Sequence, residues 1–378
     1  MIQDRPQHVL VLSSHAPSLI NFRGPLLSAI VAAGMRVTAV APDFDGGTRS
    51  ALAALGVDVV EIATARTGMN PISDLAYRQA LIELFRRLKP DVLLAYTVKP
   101  VIWGILAART AGVPRVVAMI TGLGYAFTAP LRPSLKQFAV SLAARMLYRL
   151  ALPRADHVLF QNPDDRDLFR SLGFTPRPER VSVTAGSGID LVRFAPSPQP
   201  DRPSFLMLAR LLKAKGVAEY AAAAKRLKVR YPDVEFRLAG PFDHGPDVIA
   251  ASDLKRWVAD GVSYLGALTE VRAAIADAAV FVLPSYREGT PRSVLEALAT
   301  GRAVVTTDTP GCRETVTEGL NGFLVPPRDA VALEAAMERF LLDPSLIPVM
   351  GRASLALARS KYDVNQVNAE ILAVLRGD

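Results

Sequence analysis

Residues 278–297 read AAVFVLPSYREGTPRSVLEA, and this stretch decides the fold. Its apolar run stops at Pro284, which is typical of a buried strand in a parallel sheet. Thr290 is the predicted N-cap and Pro291 the predicted first residue of a helix that stops by Gly301. A strand, a tight turn and a helix in this order place the helix N-terminus at the carboxyl edge of a sheet, where open α/β sheets bind ligands.

Two carboxylates, Glu288 and Glu296, flank that turn eight positions apart. Eight helical residues span ~12 Å, so the two acids could address different parts of one elongated ligand. The N–H groups of Arg292, Ser293 and Val294 predict an anion site between them. The alternative, from the local sequence alone, is a pair of solvated surface acids.

The composition indicates a globular chain of two domains. Its 378 residues exceed one ordinary core, half of them are hydrophobic, and 21% are charged. The single cysteine, Cys312, excludes internal disulfides and suits a reducing cytosol. We find no signal peptide and no stretch of 18 uncharged apolar residues, so we expect a cytoplasmic protein without a membrane span.

The net charge of +8 comes from one segment of the chain. No acidic residue lies between Asp91 and Asp156, and eight basic residues do, which leaves 36 basic and 36 acidic residues elsewhere. Within it, residues 134–152 have apolar residues at helical spacing. A basic amphipathic helix of this kind predicts docking on the inner face of the plasma membrane. The candidate membrane residues are Arg132, Lys136, Arg145 and Arg149.

A buried helix with a few solvated cations is an equally good interpretation of residues 134–152. Nucleic acid is not expected as a partner, because aromatic residues are not interleaved with the basic ones.

Apolar strands alternate with helical patterns along the whole chain, which predicts two doubly wound, Rossmann-like α/β domains with a ligand cleft between them. Predicted helices include residues 216–230 and 329–342. The predicted strands are residues 8–12, 35–41, 57–62, 91–96, 115–120 and 157–161, then 204–210, 234–240, 262–266, 280–284, 303–307 and 322–326.

The proline-rich segment 194–203 is the predicted linker. We therefore divide the chain into a first domain over residues 1–195, a second over residues 196–362, and a C-terminal helix over residues 363–378 that packs back on the first domain.

A dinucleotide-binding oxidoreductase is disfavoured, because no G-x-G-x-x-G follows the first strand. Instead, LARLLKAKGV (208–217) follows the first strand of the second domain. It brings Arg210, Lys213 and Lys215 to the carboxyl edge, where cations could grip a diphosphate.

The blocks ARLLKAKG (209–216), LAGP (238–241), YLG (264–266), residues 283–316 and NGFLV (321–325) strongly resemble the retaining glycosyltransferases of family 4, which have the GT-B fold. Glu288 and Glu296 match the E-x7-E signature of that family. The resemblance implies that a nucleotide-sugar donor is bound mainly by the second domain, with no cofactor and no metal ion.

The resemblance also implies a role for each residue of the donor site. Arg210 and Lys215 match the diphosphate-binding pair, and Glu288 the acid near the donor sugar; these three are the candidate catalytic residues. Glu296 matches the acid that binds the ribose hydroxyls. The other donor-binding candidates are Thr290, Pro291, Arg292, Ser293 and Val294 near the sugar and phosphates, and Tyr264, Leu265, Gly266 and Gly240 towards the base.

In the first domain, residues 13–27, 119–128 and 184–194 resemble the bacterial branch that extends undecaprenyl-diphosphate-linked saccharides. This implies a lipid-linked acceptor and a UDP-sugar donor, with an N-acetylhexosamine favoured. The acceptor-side candidates are His15, Asn21, Arg23, Thr121, Gly122, Gly124, Gly186 and Gly188.

One position departs from the family pattern. Thr121 stands where related enzymes carry a histidine or a glutamate, and none of the histidines His8, His15, His157 and His244 is an obvious base. Retaining members are thought to react on one face of the sugar, with the leaving diphosphate oxygen taking the proton of the acceptor. The alternatives are transfer to a soluble acceptor, a UDP-sugar 2-epimerase, and a non-catalytic protein that binds sugar nucleotides.

Overall fold

The computed structural model describes residues 7–64, 70–123, 135–243 and 247–377, without the side chains of residues 135–137. The chain forms two compact units. The first unit runs to Ser187 and resumes at Asn365, and the second runs from Gly188 to Val364.

The first unit contains a seven-stranded parallel sheet in the order β3-β2-β1-β4-β5-β6-β7. Its strands are β1 (His8–Leu12), β2 (Arg36–Ala41), β3 (Asp58–Glu61), β4 (Val92–Tyr96), β5 (Arg115–Ile120), β6 (His157–Phe160) and β7 (Val181–Val183). Its helices are α1 (Pro17–Asn21), α2 (Gly24–Ala32), α3 (Gly46–Ala54), α4 (Pro71–Leu88), α5 (Val98–Ala111), α6 (Leu135–Ala151) and α7 (Pro163–Ser171).

Both faces of this sheet are covered by helices, which is why its central strands β1, β4 and β5 are almost entirely apolar. Leu10 and Leu12 of β1 belong to a core that includes residues of α4, α5, α6 and α7. Val9 and Val11 point to the other face, into a core with α2 and α3. Side chains alternate across a strand, so one short strand supplies both cores.

The second unit contains a six-stranded parallel sheet in the order β10-β9-β8-β11-β12-β13. Its strands are β8 (Ser204–Leu208), β9 (Glu235–Ala239), β10 (Val262–Tyr264), β11 (Val280–Leu283), β12 (Ala303–Thr307) and β13 (Gly322–Val325). Its helices are α8 (Val217–Arg230), α9 (Ala251–Ala259), α10 (Arg272–Ala276), α11 (Arg292–Ala299), α12 (Ala330–Leu342) and α13 (Leu346–Lys361).

The last helix, α14 (Val364–Arg376), returns to the first unit. Its residues Val367, Ile371 and Leu375 are buried in the same core as Val9 and Val11. The spacing of these three side chains is that of one helix face, and that face closes the first sheet on the side of α2 and α3.

The boundary between the units lies at Ser187, ahead of the predicted boundary at residue 195. The proline-rich segment belongs to the second unit, where the fully buried Arg302 holds it. This guanidinium donates to the Pro198 carbonyl at 2.8 Å and to Gln199 Oε1 at 2.8 Å. Burial lowers the pKa of Arg302 to about 10. Proline content predicts a stiff segment but not the surface to which the segment is fixed.

Each predicted strand is present, and no end differs from its predicted position by more than two residues. Strand β7 has no predicted counterpart, because three half-buried residues are too few to show a periodicity. Within the part of the chain that the structure describes, no single helix is long and apolar enough to cross a bilayer, although the bent pair α12 and α13 meets those criteria jointly.

Candidate active site

The predicted donor residues gather at the carboxyl edge of the second sheet. Strands β8 and β11 are adjacent, with Phe205 opposite Val280, so the loops that follow them meet. The loop after β8 carries Arg210 and Lys215, and the loop after β11 carries Glu288 and leads into α11. Residues far apart in sequence are thus brought together by strand order alone.

Lys215 and Glu288 form an ion pair between these two loops. Lys215 Nζ lies 2.5 Å from Glu288 Oε1, and the two side chains are only 19% and 14% exposed. The Glu288 N–H also donates to the Pro310 carbonyl at 3.0 Å. Gly311, at a φ of +81°, packs so tightly on the Glu288 carbonyl that a Cβ there would collide with it. Three contacts therefore fix the glutamate loop.

Arg210 forms an ion pair with Asp243, a residue that the sequence analysis did not select. Asp243 lies in the loop after β9, the strand beside β8. Arg210 is about half exposed, whereas Lys215 is mostly shielded. Both cations of the candidate diphosphate site thus face a carboxylate, and an anionic ligand would compete with Asp243 for Arg210.

The start of α11 differs from the prediction. The N-cap is Pro291, not Thr290, and the first helical residue is Arg292. Pro291 has an extended backbone, with a ψ of 107°, so it lies outside the helix. Its carbonyl accepts from the Val294 N–H at 3.0 Å, so that N–H is not available as the predicted anion donor.

Glu296 lies one turn into α11 and is buried. Arg292 Nε donates to its Oε1 at 3.0 Å, an i,i+4 contact on one helix face. Burial raises the pKa of the Glu296 carboxyl, and the guanidiniums of Arg292 and Arg193 offset part of that rise. A buried carboxylate whose pKa is raised is a functional-site signal, because burying it has a cost in stability.

The predicted base-binding residues form a small hydrogen-bonded group. The Tyr264 hydroxyl donates to the Gly240 carbonyl at 2.7 Å, and the Gly240 N–H donates to the Gly266 carbonyl at 2.9 Å. Leu265 is exposed beside them. Phe242, which the sequence analysis overlooked, has its ring edge-on to Tyr264 at 6.5 Å and is 48% exposed. An aromatic residue in a Gly-Pro loop after a strand was the available signal.

The acceptor-side candidates of the first unit lie at the carboxyl edge of its own sheet, after β1, β5 and β7. They are His15, Asn21, Arg23, Thr121, Gly122 and Gly186. Gly124 lies outside the described residues. Gly188 belongs to the second unit, where a Cβ would lie 2.6 Å from Val364 Cα, so packing alone explains this glycine.

Arg23 is buried rather than presented to solvent. Its guanidinium donates to Ser187 Oγ at 2.9 Å and lies 5.1 Å from the ring centroid of Tyr96. Thr97, next along, has a φ of +69°, which is a rare and strained conformation for a β-branched residue. Its Oγ1 lies 2.9 Å from Ser14 Oγ. Sequence reasoning overlooked Thr97, since backbone strain leaves no residue pattern.

Two of the histidines are structural. His8 Nε2 lies 2.8 Å from Thr38 Oγ1, and His157 Nε2 lies 2.9 Å from Ser182 Oγ. Both residues open strands at the amino edge of the first sheet, and burial lowers the pKa of each imidazole. His244 lies outside the described residues. Because His8 and His157 lie at the amino edge, neither is placed to act at the carboxyl edge of the sheet.

Helix α6 has one buried and one exposed face. Ala144 and Tyr148 are buried, whereas Phe138, Leu142, Met146 and Leu150 are exposed. These four apolar residues recur every fourth position and so lie along one strip, beside the exposed residues Arg145 and Arg149. Arg132 and the Lys136 side chain lie outside the described part of the chain. A buried helix with a few solvated cations, the alternative interpretation, describes the face with Ala144 and Tyr148 but does not explain the exposed apolar strip.

Family comparisons agree with this geometry. The family described as "Glycosyl transferase 4-like domain" matches residues 24–186, and "Glycosyl transferases group 1" matches residues 202–343. The N,N'-diacetylbacillosaminyl-diphospho-undecaprenol alpha-1,3-N-acetylgalactosaminyltransferase of Campylobacter jejuni is 30% identical over 349 residues, 89% of each chain. The UDP-Gal:alpha-D-GlcNAc-diphosphoundecaprenol alpha-1,3-galactosyltransferase of Escherichia coli is 27% identical over 77% of this chain and 76% of its own.

Solved structures show the same fold. Sucrose-phosphate synthase from Thermosynechococcus elongatus has a TM-score of 0.80 at 19% identity and 98% coverage of both chains. Anabaena HepE in complex with UDP and glucose has a TM-score of 0.75 at 18% identity, over 98% of this chain and 99% of its own. The two parallel sheets and these neighbours show that the chain has the GT-B fold. The chain belongs to the family 4 glycosyltransferases, which confirms the fold class and the family resemblance.

Glu296→Gln tests the burial of the Glu296 charge. Because the folded-state pKa is raised, the folded protein binds the proton more tightly than the unfolded chain. The wild type therefore loses stability relative to the variant as the pH rises above the ordinary glutamate pKa. We expect the Tm difference, variant minus wild type, to increase from acidic to neutral pH in a thermal scan. Glu235→Gln, an exposed residue at the opposite edge, is the control. A difference that stays flat or decreases contradicts the assignment.

Proposed function

We propose that this glycosyltransferase moves a sugar, an N-acetylhexosamine, from a UDP-sugar to an undecaprenyl-diphosphate-linked saccharide, with retention of the anomeric configuration. The observation that carries the proposal is the grouping of Arg210, the Lys215–Glu288 pair and the buried Glu296 at one sheet edge. The two bacterial relatives, named for transfer to undecaprenol-diphosphate sugars, support the acceptor class.

In this proposal the donor lies along the carboxyl edge of the second unit. The diphosphate contacts Arg210 and Lys215, the ribose hydroxyls donate to Glu296, and the base lies towards Tyr264 and Phe242. Phe242 has an exposed face for stacking, and such base–aromatic contacts contribute about 1–3 kcal/mol. The ligand would displace Asp243 from Arg210, because a diphosphate carries more charge than one carboxylate.

The chemistry proposed is departure of the nucleoside diphosphate, assisted by cations already in place. Negative charge grows on the diphosphate oxygen as the sugar–oxygen bond breaks, and Lys215 and Arg210 stabilise that charge. The acceptor hydroxyl attacks from the same face, and its proton passes to the leaving oxygen. Glu288 orients the Lys215 ammonium and reaches the donor sugar. We propose that no metal ion or separate cofactor takes part.

The acceptor's lipid anchor calls for a membrane-facing surface, and we propose that α6 provides it on the inner face of the plasma membrane. Its exposed apolar strip would insert into the lipid headgroup region of the membrane, and Arg145 and Arg149 would attract anionic headgroups. The absence of acidic residues from 92 to 155 removes the charge that would repel such a surface. Each basic residue near an anionic surface contributes about 1 kcal/mol.

Substituting the two glutamates should have different effects, one mainly on UDP binding and the other mainly on turnover. Glu296→Ala should weaken UDP binding by roughly tenfold or more, since a hydrogen bond to a charged group is lost. Glu288→Ala should lower kcat by roughly a hundredfold and weaken UDP binding less than Glu296→Ala does. Calorimetry with UDP and a transfer assay with a panel of UDP-sugars measure the two effects. Glu235→Ala is the control, and negligible effects of both site variants would sink the assignment.

Vesicle binding should depend on the exposed face of α6. The wild type should sediment with phosphatidylglycerol vesicles at low salt and be released as salt increases. Met146→Asp should abolish binding, whereas Val331→Asp should not, although the two side chains are 66% and 68% exposed. Arg145→Ala with Arg149→Ala should weaken binding roughly tenfold or more. A wild type that stays in solution, or equal losses in both aspartate variants, contradicts docking through α6.

A further inference from the structure

Tyr286 lies in the loop after β11, two residues before Glu288, and contacts the other loop of the site on both sides of Lys215. Its N–H donates to the carbonyl of Ala214, the residue before Lys215, at 2.9 Å. Its hydroxyl donates to Oε1 of Glu219, in the first turn of α8, at 2.7 Å. The segment that carries Lys215 is thus bonded to Tyr286 at each end.

The Tyr286 hydroxyl donates a hydrogen bond to a carboxylate, Glu219, that has few other partners. Glu219 Oε2 is buried and has no hydrogen-bond partner among the described residues, so Tyr286 supplies the hydrogen bond that this carboxylate receives. Burial, and then the hydrogen bond to Glu219, raise the pKa of Tyr286, so the hydroxyl keeps the proton that it donates. Removing that donor leaves a half-buried carboxylate without a hydrogen bond.

The ring of Tyr286 is held from a third loop. The Arg328 guanidinium, in the loop after β13, lies 4.4 Å from the ring centroid. Arg328 has a φ of +63°, which a non-glycine residue rarely adopts. Tyr286 therefore links the loops that follow β8, β11 and β13, and its position does not depend on one contact.

We infer that Tyr286 is a positioning residue that fixes the Lys215 loop against the Glu288 loop, so that the ammonium is already in place when a diphosphate binds. The inference rests on the proposed function, because it assigns the diphosphate to Lys215. Tyr286 itself touches no substrate in this account. Its contribution is preorganisation, and small displacements of a charged group have large effects on its interaction with a ligand.

The same unit offers a matched control. The Tyr231 hydroxyl donates to Glu338 Oε1 at 3.0 Å, and the Arg230 guanidinium lies 5.9 Å from the Tyr231 ring. This tyrosine, glutamate and arginine repeat the chemistry of Tyr286, Glu219 and Arg328. Arg230 and Tyr231 lie at the C-terminal end of α8 and Glu338 lies on α12, whereas Lys215 precedes the N-terminus of α8. Tyr231→Phe therefore removes a tyrosine–glutamate hydrogen bond away from Lys215, although Glu338 keeps its ion pair with Arg230.

The readout is the ratio of the uridine Kd to the UDP Kd, measured by competition calorimetry. This ratio isolates the diphosphate, so a general loss of stability, which weakens both ligands equally, does not change it. Tyr286→Phe should lower the ratio roughly tenfold, and Glu219→Ala should do the same. Glu219→Gln should leave the ratio close to the wild-type value, because the amide oxygen of glutamine still accepts the hydrogen bond from Tyr286. Tyr231→Phe should equal the wild type, and Lys215→Ala should give the lowest value.

The results distinguish failure of the positioning role of Tyr286 from failure of the proposed function. A Tyr286→Phe ratio equal to that of Tyr231→Phe, while Lys215→Ala lowers it, overturns the positioning role only. A wild type that binds UDP no better than uridine, or a Lys215→Ala variant with an unchanged ratio, overturns the proposed function instead. Combined Tyr286→Phe and Glu219→Ala should lower the ratio no further than either alone, and a multiplied loss would show that the two side chains act independently.

Discussion

The ion pair between Lys215 and Glu288 is the constraint on which the second unit's carboxyl edge depends. It joins loops that follow two adjacent strands, and both side chains are largely shielded from water. A shielded ion pair is weak evidence for stability, since desolvation offsets most of the attraction. Its presence is better explained by function. In the proposed function, the Glu288 carboxylate holds the Lys215 ammonium in position for an anionic ligand.

The neighbouring groups follow from the same constraint. Arg210 pairs with Asp243 as Lys215 pairs with Glu288, but the Arg210 side chain is more exposed to solvent. Glu296, by contrast, is buried on α11 and pairs with a residue of its own helix, Arg292. We therefore propose that Arg210 and Lys215 at one end of the site contact a diphosphate, and that Glu296 at the other end accepts hydrogen bonds from hydroxyl groups.

Much of this arrangement could be predicted from the sequence. Apolar periodicity located the strands, and strand–turn–helix logic placed Glu288 and the start of α11 at a carboxyl edge. Thr290 failed as the N-cap because cap preference describes an average helix, whereas here Pro291 has an extended backbone. Asp243, Tyr286 and Phe242 were overlooked for a different reason. Their partners lie on other elements of the second unit, and only the strand order β10-β9-β8-β11 brings those elements together.

The first unit illustrates the same limit. The basic segment without acidic residues predicted a membrane-docking surface on α6. The amphipathic pattern alone could not decide which face of the helix is exposed. Burial of Tyr148 and exposure of Met146 decide it. The strained Thr97 and the buried Arg23 left no pattern to find, because backbone strain and a buried guanidinium are properties of packing.

A crystal structure of the protein with UDP tests the central claim most directly. The account predicts diphosphate oxygens within hydrogen-bonding distance of Arg210 and Lys215, the ribose hydroxyls on Glu296, and Asp243 no longer paired with Arg210. UDP bound away from the carboxyl edge of the second sheet, or a ribose that does not contact Glu296, would contradict it.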